Sequence, residues 1–192
     1  YNVTNTYKQE SIAFASSSFG LDYPVNDDTN RTAQITNQII SSSGAFSAWE
    51  KIEAIADFIV NGNETIQFNW SSSGSGFKNA SSQIGGPTDI SRWILEDARI
   101  GTCDEYSSTF ALMLRTAGIP SRKVMGLSDG SQNLDNTSFS FYGRHLTSWV
   151  EAHLQTNENL GGIDLGWQPF KACPPPPPIS IVDVSRTIGN HD

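Results

Sequence analysis

Cys103 stands where a helix is expected to begin. The segment Gly101-Thr102-Cys103-Asp104-Glu105-Tyr106 runs directly into a recurrence of Tyr106, Phe110 and Leu114 every four residues, the spacing that lines up one helical face. Ala117-Gly118-Ile119-Pro120 closes the run, because Gly118 suits a left-handed cap and Pro120 cannot continue a helix. A thiol at such a helix start meets free backbone N–H groups and the positive end of the helix dipole. Both lower a thiol pKa and help to hold an oxyanion. The same pattern also fits a small buried cysteine, since free Cys is among the most buried residue types.

The elements around this helix follow from periodicity and punctuation. Ala48, Ile52, Ile55 and Ile59 form the stripe of a helix over 48–60, ended by Asn61-Gly62. A second helix is expected from Thr88, as N-cap, to Ala98, with Ile90, Trp93 and Ile94 inward. Residues 11–15 read as a short strand, 22–30 as a turn-rich loop and 32–40 as a short helix. Residues 65–70 read as a short strand, and 71–76 as a Ser/Gly loop. After Pro120, 122–127 reads as a strand leading to a polar loop. From His145 to Leu154 the chain alternates: Leu146, Ser148, Val150, Ala152 and Leu154 share the mostly apolar side, and His145, Thr147, Trp149, Glu151 and His153 the other.

Four segments, in order, resemble the transglutaminase-like family of the papain-like cysteine-enzyme group. They are Trp49 to Val60, Gly101 to Arg122 with its Ala-Gly-Ile-Pro-Ser-Arg exit, Thr147 to Leu154, and Gly166-Trp167-Gln168-Pro169-Phe170-Lys171. The resemblance implies an α+β fold: helices packed on an antiparallel sheet, with Cys103 as nucleophile at the start of the central helix. It implies that this helix start faces the strand carrying Thr147 and Trp149. The apolar side of that strand can hold the helix only if Cys103 reaches the strand's edge or end. The family's His falls at Thr147 and its Asp at Lys171, so the triad is substituted at two positions. Thr has no basic group near neutral pH, and Lys is cationic unless deeply buried. His145 is a weak substitute base, one side-chain repeat (roughly 6.6 Å) from the family's His position. His153 reads as a surface strand residue.

Cys103 and Cys173 are the two cysteines. If the strand through Lys171 continues, Lys171 and Cys173 point to the same face, and a Cys103–Cys173 disulfide is geometrically reasonable. The alternative is two free thiols, one of them functional. A Cys/His zinc site from Cys103, His145, His153 and Cys173 lacks short ligand spacing, and no metal or other cofactor is expected. Net charge is −8, with 17% charged residues. An acidic chain without basic clusters argues against nucleic acid and anionic membrane surfaces. No apolar run approaches the ~20 residues of a membrane span. The chain begins with Tyr1, which fits an N-terminal segment removed or not included.

Asn2, Asn30, Asn63, Asn69, Asn79 and Asn136 stand in Asn-x-Ser/Thr sequons and are glycosylation candidates. With the low charge and Ser-rich loops, they suggest a secreted or cell-surface protein carrying covalent glycans. Residues 1–47 read as an N-terminal extension, 48–173 as the transglutaminase-like domain, 174–178 as a polyproline spacer and 179–192 as a C-terminal strand and tail. Ile179 to Ser185 alternates like a strand held out on a stiff polyproline II segment. It suits addition to a sheet edge, in its own domain or in another copy of the chain. Three functions follow. One is a degenerate structural or assembly module, forming an extracellular filament by strand exchange. Another is an active thiol peptidase, amidase or acyl transferase using Cys103. The third is a peptide- or glycan-binding module with Trp149 and Trp167 as apolar contacts.

Overall fold

The computed structural model describes residues 4–9, 11–13, 20–23, 25–71, 87–128, 130–132, 137–143, 146–157, 159 and 161–175. The polyproline spacer beyond Pro175, the expected C-terminal strand and His145 lie outside the described residues, as do Asn2, Asn79 and Asn136.

The sheet is built around β7 (Leu146–Thr156). Strand β4 (Ser121–Leu127) pairs antiparallel with residues 146–152 of β7, and β1 (Ser11–Ala13) with residues 154–156. Strand β8 (Asp164–Phe170) pairs antiparallel with residues 150–155. Because β8 overlaps both other partners, it must take the opposite edge of β7. Two small pairs stand apart. Strands β2 (Asn69–Trp70) and β3 (Ile100–Gly101) are parallel, and β5 (Ser131–Gln132) and β6 (Phe139–Ser140) are antiparallel.

Helices α2 (Asp27–Ser43), α3 (Ala48–Asn61), α4 (Pro87–Arg92) and α5 (Cys103–Thr116) pack together, and α3 and α5 pack on this sheet. A short α1 (Asn5–Gln9) precedes them. The expected stripe of α3 is the buried one, with Ile52, Ile55 and Ile59 fully inaccessible. From α5, Tyr106, Phe110 and Leu114 are likewise fully buried, and from β7, Val150, Ala152 and Leu154. These residues form one cluster, and each large side chain contributes about 1.5–3 kcal/mol by leaving water. Phe68 links the layers, edge-on to Phe58 at 5.2 Å and to Tyr106 at 6.2 Å.

Several boundaries differ from the sequence reading. The loop expected over 22–30 ends at Asn26, whose side chain accepts from Thr29 N and caps α2, with Asp27 and Asp28 in its first turn. Both aspartates complement the helix dipole, so α2 is far longer than 32–40. Helix α4 starts at Pro87 rather than after Thr88, and it ends in a π-helical turn over Trp93–Asp97. Only Asn69–Trp70 of 65–70 is strand. His153, expected at the surface, is buried edge-on against Trp167 at 5.0 Å, because the directly opposite partner on β8 is Trp167. Leu146 is 56% exposed, because it begins the strand.

Helix α3 opens with a capping box. Ser47 Oγ accepts from Glu50 N at 3.1 Å, and Glu50 Oε2 accepts from Ser47 N and Phe46 N, each at 3.0 Å. The N–H of Ser47, then that of Phe46, hold the Glu50 carboxyl below its ordinary value of 4.5. A depressed folded pKa contributes stability that is full above the ordinary value and lost as pH falls through the folded one. Glu50→Gln is therefore expected to lower stability at pH 7 by about 0.5–1 kcal/mol. It should also flatten the acid limb below pH 4.5 relative to the parent, read by urea unfolding across pH.

Candidate functional site

Thr102 fixes the start of α5. Its backbone N–H donates to Glu105 Oε2 at 2.7 Å, its hydroxyl donates to the same oxygen, and its Oγ1 accepts from Asp104 N at 3.2 Å. Gly101 allows the close approach just before it, where a Cβ would meet the buried Ile94 Cδ1 at 2.8 Å. Cys103 is therefore the first residue of α5, as the sequence indicates.

The helix meets the sheet through its second residue. Asp104 Oδ1 accepts from Ser148 Oγ at 2.9 Å and from Lys123 Nζ at 2.9 Å, and the same ammonium donates to Ser108 Oγ at 3.1 Å. This network brings α5 to the Ser148 side of β7, not to the Thr147 and Trp149 side that the resemblance implied. The reason is apolar alternation: Val150, Ala152 and Leu154 need the cover that α5 provides. Ser148 lies near the start of β7, so α5 takes the apolar face at that end of the strand. The network was not anticipated from sequence. Its one signal is that Lys123 and Ser148 both fall on the helix-facing side of paired strands, where polar groups need partners.

Cys103 is bonded to Cys173, with Cα atoms 5.1 Å apart and a sequence separation of 70. The route differs from the continued strand that was expected. Strand β8 ends at Phe170, whose ring packs edge-on to Trp49 at 4.8 Å. Residues 171–175 then cross the start of α5. Pro174 is buried, and with Pro175 it lines a cleft beside Phe68 and Trp70. The segment is a strap from the sheet to the β2 side, fastened to Cys103 midway.

Thr147 and Lys171 come together around the end of the sheet. They line a pocket of about 430 Å³ with Leu127, Ser128, Ser148, Trp149, Pro169 and Phe170. Val150 pairs with Phe170, which sets Lys171 beside Trp149 in register. The Trp149 ring lies across Gly126, where a Cβ would meet it at 2.8 Å. Trp167 is not in this pocket; Arg122 stacks on it at 4.2 Å and also bonds Glu151 at 2.8 Å. Among the described residues no group of His, Cys, Asp and Glu is placed to hold a metal. The sequon residues Asn30, Asn63 and Asn69 are exposed.

The model of the transglutaminase-like superfamily matches residues 33–172. The chain belongs to the transglutaminase-like superfamily. It is 30% identical over 81 residues to YebA of Bacillus subtilis (strain 168), a stretch that covers 40% of this chain and 10% of YebA. Its fold is similar to that of the periplasmic domain of TgpA from Pseudomonas aeruginosa, with TM-score 0.57 and 20% identity, covering 80% of this chain and 45% of that one. The ethylmercury-bound form of the TgpA domain matches equally, with TM-score 0.57 and 21% identity. The chain thus spans a tenth of YebA and under half of the TgpA domain.

The disulfide closes a 70-residue interval of chain. In the chain-entropy account such a loop is worth about 4 kcal/mol. Cys103→Ser with Cys173→Ser is expected to lower unfolding stability by about that amount. Dithiothreitol should lower the parent to the same level and leave the variant unchanged, both read by urea unfolding.

Proposed function

We propose that this chain is a secreted structural or assembly module that keeps a transglutaminase-like fold without thiol catalysis. The observation that carries the reading is the bond between Cys103 and Cys173. A disulfide sulfur is not a nucleophile, since attack on a carbonyl needs the thiolate. The positions of the family's base and orienting acid hold Thr147 and Lys171. A hydroxyl accepts no proton near neutral pH, and an ammonium in the orienting position opposes a charged imidazolium rather than supporting it.

The location follows from the same bond, because disulfides persist in oxidising compartments outside the cytosol. The TgpA relative is itself a periplasmic domain. Glycans on the exposed Asn30, Asn63 and Asn69 fit that location. The assembly role rests on the sequence of the tail, in which a stiff run of prolines precedes the strand-like alternation of Ile179 to Ser185. A strand given head to tail to the next copy propagates into a filament. Deleting residues 174–192 is expected to leave a chain that sizes as a monomer. A truncated chain that assembles like the full one would remove the tail as connector.

A second reading is favoured by the pocket at Thr147, where the Trp149 ring and Lys171 offer a stacking surface and a cation to a peptide or glycan. Catalysis is the discriminating measurement. Neither the oxidised nor the reduced chain is expected to hydrolyse a peptide amide or transfer its acyl group to an amine. Turnover by the reduced chain, lost in Cys103→Ser, would make the protein a latent thiol enzyme and overturn the proposal.

A further inference from the structure

Arg99 sits away from the Cys103 site, directly after the π-helical turn. Its φ is 55°, and it is the single non-glycine residue with positive φ among those described. Ala98 N and Arg99 N both donate to Trp93 O, at 2.9 and 3.2 Å. The unusual backbone turns the Arg99 carbonyl inward, where it accepts from Asn69 N at 2.8 Å and from the buried Tyr106 hydroxyl at 3.3 Å. Arg99 therefore has a fixed backbone and a side chain placed by it.

That side chain lines a groove of about 600 Å³ between α2, α3 and the π turn. Its floor is apolar, with Ile35, Ile39, Phe58 and Ile66. The charged groups of the lining are largely spoken for. Arg31 holds Glu96 at 2.6 Å, and Asp57 Oδ1 accepts from Asn61 Nδ2 at 2.6 Å. Among the described residues Arg99 has no carboxylate partner, and its Nε is shut off from water without an acceptor. A buried donor left without an acceptor is destabilising. The two carboxylates of the lining, Glu96 and Asp57, bond Arg31 and Asn61 instead.

We propose that this groove binds a small molecule with one carboxylate and an apolar body, and that the carboxylate pairs with the terminal guanidinium nitrogens of Arg99. A planar guanidinium matches a carboxylate with two parallel hydrogen bonds. One cation balances one negative charge, while Glu96 and Asp57 on the walls oppose a dianion such as a phosphate monoester. The volume is that of an ordinary small-molecule site, and the apolar floor gives the body of the ligand its burial.

The test uses the full chain with octanoate, octanamide and octyl phosphate as probes. Calorimetry should show octanoate binding, with octanamide and octyl phosphate weaker by about tenfold or more. Octanoate should raise the melting temperature and move the Nε–H resonance of Arg99, assigned by its loss in Arg99→Lys. Arg99→Gln should remove octanoate binding and the melting shift. Its stability without ligand should equal or exceed the parent's, because the buried Nε donor without an acceptor is gone. Arg99→Lys keeps a charge but not the paired donors, and should bind octanoate weakly. Equal binding of octanoate and octanamide would reduce the groove to an apolar slot and overturn the proposal. Unchanged octanoate affinity in Arg99→Gln, or tightest binding of octyl phosphate, would do the same.

Discussion

Burial of α5 against the central strand β7 sets the rest of the molecule. Tyr106, Phe110 and Leu114 on one side and Val150, Ala152 and Leu154 on the other are shut off from water in one cluster. Because both elements alternate or repeat strictly, the contact admits one face of each and one register. The start of α5 is then carried to the start of β7, where Asp104 meets Ser148 and Lys123. Any chemistry that Cys103 has access to is decided by what lies at that junction.

What lies there is a strap. Chain leaving β8 crosses the helix start and fastens to Cys103. The helix dipole favours a thiolate at Cys103, yet the sulfur is spent on a covalent tie. Around the end of the sheet, Thr147 and Lys171 line an open pocket. The superfamily fold is retained with Cys103 tied into the strap. The groove at Arg99 is independent of this change, since it is formed by α2, α3 and the π turn.

Much of this was legible in the chain itself. The stripe of α3, the span of α5 with Cys103 at its head, and the alternation of β7 each rest on apolar periodicity, and each stands as read. Helix α2 was shortened because its inward face is polar. Thr29, Thr32 and Thr36 are buried there, their hydroxyls satisfied by contacts such as Thr36 Oγ1 to Thr32 O at 2.8 Å and Thr32 Oγ1 with Ser91 Oγ at 3.0 Å. A search for apolar repeats passes over such a face. His153 was misplaced because its burial depends on Trp167, across a pairing that includes a bulge at Leu154/Gln155. Periodicity within β7 assigns a side but not what covers it. The side of β7 that meets α5 was likewise settled by packing, not by the order of motifs. Neither the π turn nor the lone guanidinium of Arg99 has a sequence signature.

The central claim is that Cys103, at the head of α5, is bonded to Cys173 of the strap. Peptide mapping of the unreduced chain, denatured in the presence of an alkylating reagent, tests it directly by mass. The account predicts one cross-linked pair of peptides containing Cys103 and Cys173, with neither cysteine alkylated. Recovery of both cysteines as separate alkylated peptides would contradict it.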